Sequence, residues 1–332
     1  MADVARIANV STQTVSRSFT GVGYVRAETR ARIAAAIEEL GYIPNQSARN
    51  LRAKRSNTIG VLSMGGLNYG SAGVLTGLAL AAREADVTLT IAQLDLDFEA
   101  KNWEAEAKRA LDHFVAVQVD GIIVSTPIPG ADHLLDGLAE SIPVFTVSEL
   151  PRSQEASAGT HSYAAGLGAT RYLISLGHRD ILHIAGPATR NEAAERARGY
   201  RAAMEEAGLV PELLTGATDW SAASGYRAGQ IAEPASFSAV FASNDEIALG
   251  FLSAMQKRGV QAPSDFSIVG VDDMPTAAYF SPPLTSMRLD FRALGRATFR
   301  MLHQQILTGE HADHYVLEPE LVIRESTAAR RP

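Results

Sequence analysis

The chain has 332 residues, 46% hydrophobic and 20% charged, with a net charge of -7 and no cysteine. These values predict a globular protein of two or three domains, and they exclude a disulfide framework or a thiolate metal site. Because no run approaches the roughly 20 apolar residues needed to span a bilayer, and no basic-then-apolar signal pattern opens the chain, we expect a cytoplasmic protein.

The charge is distributed unevenly along the chain. Residues 1–56 contain nine Lys and Arg against four acidic residues, whereas the remainder contains 21 basic and 33 acidic residues. A basic segment ahead of an acidic body is the pattern expected when only that segment contacts phosphates. A basic tail without a partner is the alternative interpretation.

The stretch Asp3–Arg17, DVARIANVSTQTVSR, predicts two short helices joined by a tight turn at Asn9 and Val10. Ser11 is a suitable N-cap for the second helix. On that helix Val15 and Phe19 are four residues apart and share an apolar face. An ordinary pair of surface helices would show the same pattern, so short motifs of this kind do not decide the function.

The opposite face of the second helix carries short hydrogen-bonding groups, one amide and one guanidinium, from Thr12, Gln13, Ser16 and Arg17. Short side chains let a helix approach base edges closely. Glutamine suits adenine, and arginine suits guanine or a phosphate. This face therefore favours a DNA recognition helix.

A third helix is predicted over Ala27–Leu40, ended by Gly41, so residues 1–43 form a minimal helix-turn-helix head. Residues 44–57 follow as a hinge helix and linker. Leu51 is a lone large apolar residue among basic ones there, which suits a helix that orders against DNA and inserts Leu51 into the minor groove. A flexible basic linker is the alternative.

From Thr58 onward, short apolar runs alternate with helical patterns in two successive series. Such alternation is typical of parallel sheets covered on both faces, which predicts an α/β core of two doubly wound lobes. The predicted lobes are residues 58–157 with 287–315 and residues 158–286 with 316–326, followed by a tail at 327–332. Ligands of this architecture bind at the carboxyl ends of the strands.

The sequence at this point resembles the LacI/GalR family of bacterial transcription repressors, over nearly its whole length and most closely the lactose-type members. The resemblance rests on the segments DVARIANVSTQTVSR, ELGYIPNQSARNLR, YLISLGHRDILHIAGP, RARGYRAAM, TDWSAASGY, FASNDEIALGFL, VGVDD and SPPLTSMRLDFRALG. It implies a homodimer that reads a pseudo-palindromic operator. It also implies a hinge helix and a periplasmic-binding-protein-like core for a small effector, usually a sugar or a nucleobase.

The resemblance also implies residue roles in the head and hinge. Thr12, Gln13 and Arg17 match the base-reading positions, and Leu51 matches the intercalating hinge leucine. We expect Ser16, Ala48 and Arg52 to contact DNA beside them.

In the core, the resemblance assigns an effector pocket. Arg196 matches the arginine that holds effector oxygens, and its planar fork of donors suits neighbouring hydroxyls. Asn244 and Asp272 follow strand-end runs, where the fold places its ligands. Trp220 matches an aromatic platform for the apolar face of a sugar, and Phe291 is expected to line the facing lobe. Without the resemblance, Trp220 would be interpreted as a core residue and Arg196 as a charged residue on a helix surface.

Four positions depart from the lactose-type pattern of pocket-lining Ser, Asp, Asp and Gln. This chain has Met64, Arg83, Ser148 and Leu289 there, which predicts a less acidic pocket at the N-terminal lobe. Asn68 and Tyr69, in the loop after the first strand, are expected to close over that end. The predicted effector is a sugar, of the galactoside type or related to it.

Other functions are weaker fits. The glycine-rich segment GVLSMGGLNYGSAG lacks a phosphate-loop lysine and the dinucleotide fingerprint, and the chain has no nucleophile elbow. His311 and His314 lack further metal ligands, so we expect no metal, no cofactor and no catalysis. The more serious alternative is an exported sugar-binding protein of the same core fold. The basic helical head argues against that alternative. The absence of leucine heptads near Arg330 predicts dimers rather than tetramers, with operator DNA and a small effector as partners and no membrane.

Overall fold

The computed structural model describes residues 1–20, 23–42, 55–94, 102–125, 134–135, 138, 141–148, 156–310 and 313–330. The chain divides into two compact units, Met1–Asn57 and Thr58–Pro332. Among the described residues, no helix combines the length and apolar content that a bilayer crossing requires.

The first unit contains the helices α1 (Ala2–Ile7), α2 (Thr12–Thr20) and α3 (Ala27–Leu40). Val4, Val15 and Ile33 contribute one residue from each helix to a common buried core. Ser11 begins α2, because its Oγ accepts the Thr14 N–H at 3.1 Å. The apolar spacing of the sequence therefore forms the small helical head that it predicts.

The second unit alternates strands and helices. Its strands are β1 (Thr58–Met64), β2 (Thr88–Leu94), β3 (Gly121–Ser125), β4 (Val144–Val147), β5 (Ala156–Thr160), β6 (Ile181–Ile184), β7 (Glu212–Leu214), β8 (Ala239–Ala242), β9 (Ser267–Asp272), β10 (Thr285–Arg288), β11 (Tyr315–Leu317) and β12 (Glu320–Val322). Its helices are α4 (Tyr69–Glu84), α5 (Trp103–Ala116), α6 (Ser162–Ser175), α7 (Asn191–Glu206), α8 (Ala222–Ile231), α9 (Asp245–Lys257) and α10 (Phe291–Thr308).

The strands form two sheets with the same arrangement, one in each lobe. The N-terminal sheet has the order β11-β5-β4-β3-β1-β2, and the C-terminal sheet has the order β12-β10-β9-β8-β6-β7. The paired strands run parallel except for β12, which is antiparallel to β10. Helices cover both faces of each sheet, so the strands carry continuous apolar runs. The predicted two-lobed, doubly wound core behind a helical head is confirmed.

The chain crosses between the lobes after Thr160, after Arg288 and after Leu317. The sequence-based lobe boundaries at 157/158, 286/287 and 315/316 each fall inside a strand, so these positions shift by a few residues. The reason is that β5, β10 and β11 are short, and the β5 sequence ASAGT has too little apolar character to mark a strand.

The segment predicted as a tail is part of the C-terminal lobe up to Arg330. The Ala328 N–H donates to Ser267 Oγ at 3.0 Å, and the Arg330 N–H donates to the Leu176 carbonyl at 2.8 Å. Arg330 also pairs with Asp180 at 3.1 Å. These contacts hold residues 328–330 against the C-terminal lobe.

His183, on β6, is completely buried and stacks on Phe241 at a centroid distance of 4.6 Å. Burial lowers the pKa of His183 from 6.5 to about 4, although the Nδ1–H donates to the Phe241 carbonyl at 2.9 Å. In the unfolded chain His183 therefore takes up a proton near pH 6.5, whereas in the folded lobe it stays neutral until about pH 4. We expect the free energy of unfolding to fall by up to about 3 kcal/mol as the pH drops from 6.5 to 4.

Urea unfolding at several pH values would measure this effect, with His183→Gln as the non-titrating comparison. The Gln side chain retains an N–H donor for the Phe241 carbonyl. We expect a flatter dependence of stability on pH between 6.5 and 4 in the variant. Equal slopes in the two proteins would show that His183 does not carry this loss.

Candidate functional site

Strand ends place the polar side chains of the cleft between the two lobes. Asp272 is the last residue of β9, and Asn244 lies two residues after β8, at the N-cap of α9. Asn244 Oδ1 accepts the Ile247 N–H at 2.8 Å, and its Nδ2 donates to the Trp220 carbonyl at 3.1 Å. Asn244 thus holds both the start of α9 and the backbone of Trp220 at the cleft wall.

Arg196 reaches the cleft from α7 and is only 4% exposed. Its Nη1 donates to the Ser243 carbonyl at 2.6 Å, and its guanidinium carbon lies 5.2 Å from the centroid of the Trp220 ring. Its Nη2 lies 3.6 Å from Asp272 Oδ1, which is an ion pair but too long for a hydrogen bond. These three contacts fix the orientation of the guanidinium plane.

Arg196 and Asp272 each have one buried hydrogen-bonding atom without a hydrogen-bond partner among the described residues. The two atoms are Arg196 Nε and Asp272 Oδ1. Buried polar atoms are nearly always satisfied, and an unsatisfied one costs about 1–3 kcal/mol. A ligand that offers an acceptor to the arginine and a donor to the carboxyl group would satisfy both.

The backbone at Asp272 is held in an unusual conformation. Asp272 has a φ of 110° and Asp273 a φ of 52°, values that residues other than glycine seldom adopt. The buried carboxylate of Asp245 secures this turn, because it accepts the Met274 N–H at 2.7 Å and the Ser286 hydroxyl at 2.6 Å. The contacts of Asp245 therefore fix the backbone conformation that orients the Asp272 side chain.

Burial raises the pKa of Asp272 to about 7, and the positive charge of Arg196 opposes this rise. Near neutral pH the Asp272 carboxyl group is therefore present in both protonation states. It can accept a hydrogen bond from a ligand hydroxyl as a carboxylate, or donate one as an acid. Burial, and next the charge of Asp272, also raises the pKa of Asp245 well above its usual range.

Two cavities lie in the cleft, which we call the inner and the outer cavity. The inner cavity encloses about 80 Å³ and is lined by Gly66, Asn68, Gly70, Ser71, Val74, Ser125, Val147, Ser148, Gly159, Thr160, Arg190, Glu192, Arg196, Trp220, Asn244, Asp272, Phe291 and Leu294. The outer cavity encloses about 460 Å³ and is lined by Tyr69, Ala72, Gly73, Thr76, Asp272, Asp273, Pro275, Arg288, Leu289, Asp290, Phe291 and Arg292. Asp272 and Phe291 line both cavities.

In the head, the structure places Thr12, Gln13 and Arg17 on the exposed side of α2, with Ser16 half-buried beside them. Val15 is fully buried on the opposite side. The helix thus has the apolar back and polar front that its sequence predicts. Ala48, Leu51 and Arg52 lie outside the described residues.

Comparison with known proteins connects these two units. Residues 1–45 match the family model for bacterial regulatory proteins, lacI family, and residues 170–327 match the model for the periplasmic binding protein-like domain. The HTH-type transcriptional repressor PurR of Vibrio campbellii is 32% identical over 98% of this chain and 97% of its own length. The chain belongs to the LacI family of bacterial regulatory proteins.

Two solved structures are similar to this chain over 98% of both chains. A lac repressor dimer bound to operator and the anti-inducer ONPF superposes with a TM-score of 0.87 at 27% identity. The transcriptional regulator CelR in complex with cellobiose superposes with a TM-score of 0.71 at 28% identity. These relatives are repressors and regulators rather than enzymes, so this LacI-family protein is a DNA-binding transcriptional repressor with an effector-binding core.

The structure brings together seven of the eight side chains predicted for the effector pocket of this LacI-family protein. They line the inner cavity: Asn68, Ser148, Arg196, Trp220, Asn244, Asp272 and Phe291. The eighth, Tyr69, lines the outer cavity instead. Asn68 also caps α4, because its Oδ1 accepts the Ser71 N–H at 2.9 Å.

Of the four departures from the lactose-type pattern, only Ser148 lines the inner cavity. Met64 is buried in the core between its sheet and α5, and Arg83 is exposed in the last turn of α4, whose first turn faces the cavity. Leu289 is buried in the core of the C-terminal lobe and reaches only the outer cavity. The prediction that Met64, Arg83 and Leu289 line the pocket with Ser148 is therefore wrong in this structure.

Sequence reasoning missed several polar residues of the inner cavity. Ser125 and Thr160 are the last residues of β3 and β5, and Arg190 and Glu192 lie at the start of α7. All four occupy strand ends or the helix start that follows a strand, the rule that supported Asn244 and Asp272 beside the family resemblance. Applied to every strand, that rule would have found them.

Of the two histidines considered for metal binding, the structure describes His314 but not His311. His314 Nδ1 lies 2.6 Å from the Ser157 hydroxyl. The described part of the chain contains no group of three or more His, Cys, Asp or Glu side chains disposed to hold a metal ion.

Proposed function

We propose that a neutral sugar, bound in the inner cavity, controls the affinity of this repressor for its operator. The observation that carries the proposal is the pair of unsatisfied atoms, Arg196 Nε and Asp272 Oδ1, beside the Trp220 ring. Adjacent sugar hydroxyls each donate and accept, so they satisfy both atoms together. The apolar face of the sugar ring packs against Trp220. Galactosides are the first class to test, because TDWSAASGY resembles the lactose-type members.

Contacts around Asp273 support coupling between this site and the crossings between the lobes. Asp273 follows Asp272 directly and accepts from Arg288 Nε at 2.8 Å and from Arg324 Nη2 at 2.6 Å. Arg288 ends β10, where the chain crosses to the N-terminal lobe. A ligand that moves Asp272 therefore also moves Asp273 and, through Arg288, the segment that crosses between the lobes. Coupling of this kind is typically about 1–3 kcal/mol, or roughly 5–150-fold in affinity.

In our proposal the exposed face of α2 reads the operator in the major groove. Gln13 and Arg17 contact base edges, and Thr12 and Ser16 contact bases or phosphates beside them. Ala48, Leu51 and Arg52 form a hinge helix in the minor groove, with Leu51 inserted between base pairs. Operator binding would place the protein with the chromosome in the bacterial cytoplasm.

We further propose that the repressor binds its operator as a homodimer. The similar lac repressor structure is a dimer on its operator. An operator titration would then show two chains bound per operator, and four chains would contradict the dimer.

A thermal unfolding screen tests the proposed ligand class. The panel contains galactose, glucose, lactose, cellobiose, hypoxanthine and guanine, each against the full chain. A sugar that binds only the folded core stabilises it by about 2.7 kcal/mol at a concentration 100 times its Kd. We expect at least one sugar and neither nucleobase to raise the unfolding temperature. Stabilisation by a nucleobase alone would refute the sugar proposal.

A further inference from the structure

The three crossings between the lobes lie beside one another at the strand ends. We call them the first crossing, after Thr160, the second crossing, after Arg288, and the third crossing, after Leu317. The strands β5 and β11 are parallel neighbours, and Thr160 lies opposite Leu317 in their register. The first and third crossings therefore leave the N-terminal lobe side by side.

The third crossing is short, because β11 ends at Leu317 and β12 begins at Glu320. At its first end, the His161 N–H donates to the Leu317 carbonyl at 3.0 Å, and His161 Nδ1 lies 2.9 and 3.0 Å from the two carboxylate oxygens of Glu318. At its other end, Arg288 Nη1 donates to Glu320 at 3.1 Å. One side-chain pair thus fixes each end of the third crossing to a different neighbouring crossing.

The two pairs respond differently to pH. Arginine stays charged at any physiological pH, whereas histidine is the side chain that ordinarily gains or loses a proton between about pH 5 and 8. The pair between Arg288 and Glu320 therefore persists over this range. The pair between His161 and Glu318 is an ion pair when the ring is protonated, and a weaker hydrogen bond from a neutral ring when it is not.

The groups that face His161 leave Glu318 as its charged partner. The side chain of His161 is 42% exposed and that of Glu318 is 68% exposed, so the pair exchanges protons with solvent. On α6 the Tyr163 ring lies 6.3 Å from the His161 ring. Arg198 on α7 stacks on Tyr163 at 4.0 Å and pairs with Glu195. Among the residues that the structure describes, Glu318 is therefore the oppositely charged group in direct contact with His161.

We propose that the pair of His161 and Glu318 is a proton-sensitive clamp on the relative motion of the two lobes. When His161 is protonated, the third crossing is held at both ends, and the lobes keep the arrangement of this structure. When His161 is neutral, the first end is held more weakly, and the lobes move more freely. The chain superposes on a lac repressor dimer bound to operator, so the clamp favours operator binding. That last effect rests on the proposed coupling of the lobes to the head, whereas the clamp itself does not.

Energy transfer between dyes on the two lobes tests the clamp without sugar or operator. The chain has no cysteine, so Ala105→Cys on α5 and Glu205→Cys on α7 introduce two thiols for labelling at exposed positions. Labelled chain is diluted into an excess of unlabelled chain, so that the transfer reports distances within one chain. We expect a narrower distribution of distances at about pH 6 than at about pH 8.

Two substitutions at His161 should fix the clamp in opposite states. His161→Arg keeps a positive charge throughout, so we expect the narrow distribution at both pH values. His161→Gln keeps a hydrogen-bond donor without a charge, so we expect the broad distribution at both. His113→Gln, which changes an exposed histidine on α5, is the matched control and should respond to pH like the natural chain. A response to pH that survives in His161→Gln would overturn the proposal.

Operator titration without sugar measures the consequence for DNA binding. Relative to His161→Gln, we expect the natural chain to bind operator roughly two- to fivefold more tightly at about pH 6 and equally at about pH 8, which is the size of change that an exposed ion pair supports. If the distances respond to pH and the operator Kd does not, the clamp stands and the proposed control of the head by the lobes fails. If neither differs between the two proteins, the clamp is refuted.

Discussion

Replacing Arg196 by alanine is expected to abolish the effect of the sugar on operator binding. The substitution removes the buried Nε, which has no hydrogen-bond partner among the described residues, and the ion pair with Asp272 at 3.6 Å, together with the guanidinium over Trp220. Truncating one partner of a buried charged contact commonly costs about 2–5 kcal/mol of binding, so we expect effector affinity to fall at least about 30-fold. Calorimetric titration with the best sugar of the thermal screen measures the loss.

The variant loses stability as well as affinity, so its controls matter. Removing one partner of a buried pair destabilises a protein by about 3–5 kcal/mol, although Asp272 can avoid an unpaired charge by taking up a proton. Operator binding by the variant shows that the head still functions. Arg198→Ala is the matched control, because Arg198 lies on the same helix, has a side chain that is 60% exposed, and contacts Glu195 and Tyr163 without lining either cavity. A full effector response in Arg196→Ala would show that the cleft assignment is wrong.

The second large effect is expected at Leu51. Leu51→Ala removes the proposed wedge but none of the basic side chains around it. We expect specific operator affinity to fall roughly tenfold or more, since losing a contact at one base step costs about 1–3 kcal/mol. Binding to random DNA should change little, because phosphate contacts carry it. Fluorescence anisotropy with operator and random duplexes at one salt concentration measures both.

Two further variants separate the wedge from base reading. Leu51→Met retains an apolar side chain of similar volume and should restore most of the specific affinity. Gln13→Ala should lower specific affinity by a similar factor and relax the base preference at one operator position, since a bidentate glutamine contact is worth about 1–3 kcal/mol. An equal loss of operator and random DNA binding in Leu51→Ala would exclude the wedge.

The sequence predicted the fold, which follows from local patterns, and seven of the eighteen residues that line the inner cavity. Apolar runs buried on both faces mark parallel strands, and the polar residues that end them converge at one edge of a sheet. This rule supported Asn244 and Asp272, which the family resemblance also identified. Arg196 and Trp220 lie within helix and loop segments, so only the family resemblance identified them.

The remaining features depend on three-dimensional contacts that no local pattern encodes. Whether Met64 points into the cavity or into the core depends on the face of β1 that α5 covers. Arg83 and Asn68 lie on or beside the same helix, yet the cavities are lined by its N-terminal half, up to Thr76. The left-handed turn at Asp272 depends on Asp245, which is distant in sequence, and a non-glycine residue gives no hint of it.

The outer cavity was also beyond sequence reasoning. Its walls come from α4, the turn after β9 and the segment that leads into α10, which meet only when both lobes are assembled. Tyr69 was predicted to close over the effector, and the structure places it in the outer cavity, where it packs edge to face against Phe291.

The central claim is that ligand in the cleft sets the affinity of the head for DNA. The most direct measurement is a titration of the operator duplex with the full chain, at fixed salt, with and without the sugar that gives the largest thermal stabilisation. We predict that saturating sugar changes the operator Kd by roughly 5–150-fold, with binding to random DNA unchanged. An operator Kd that is the same with and without saturating sugar would contradict the account.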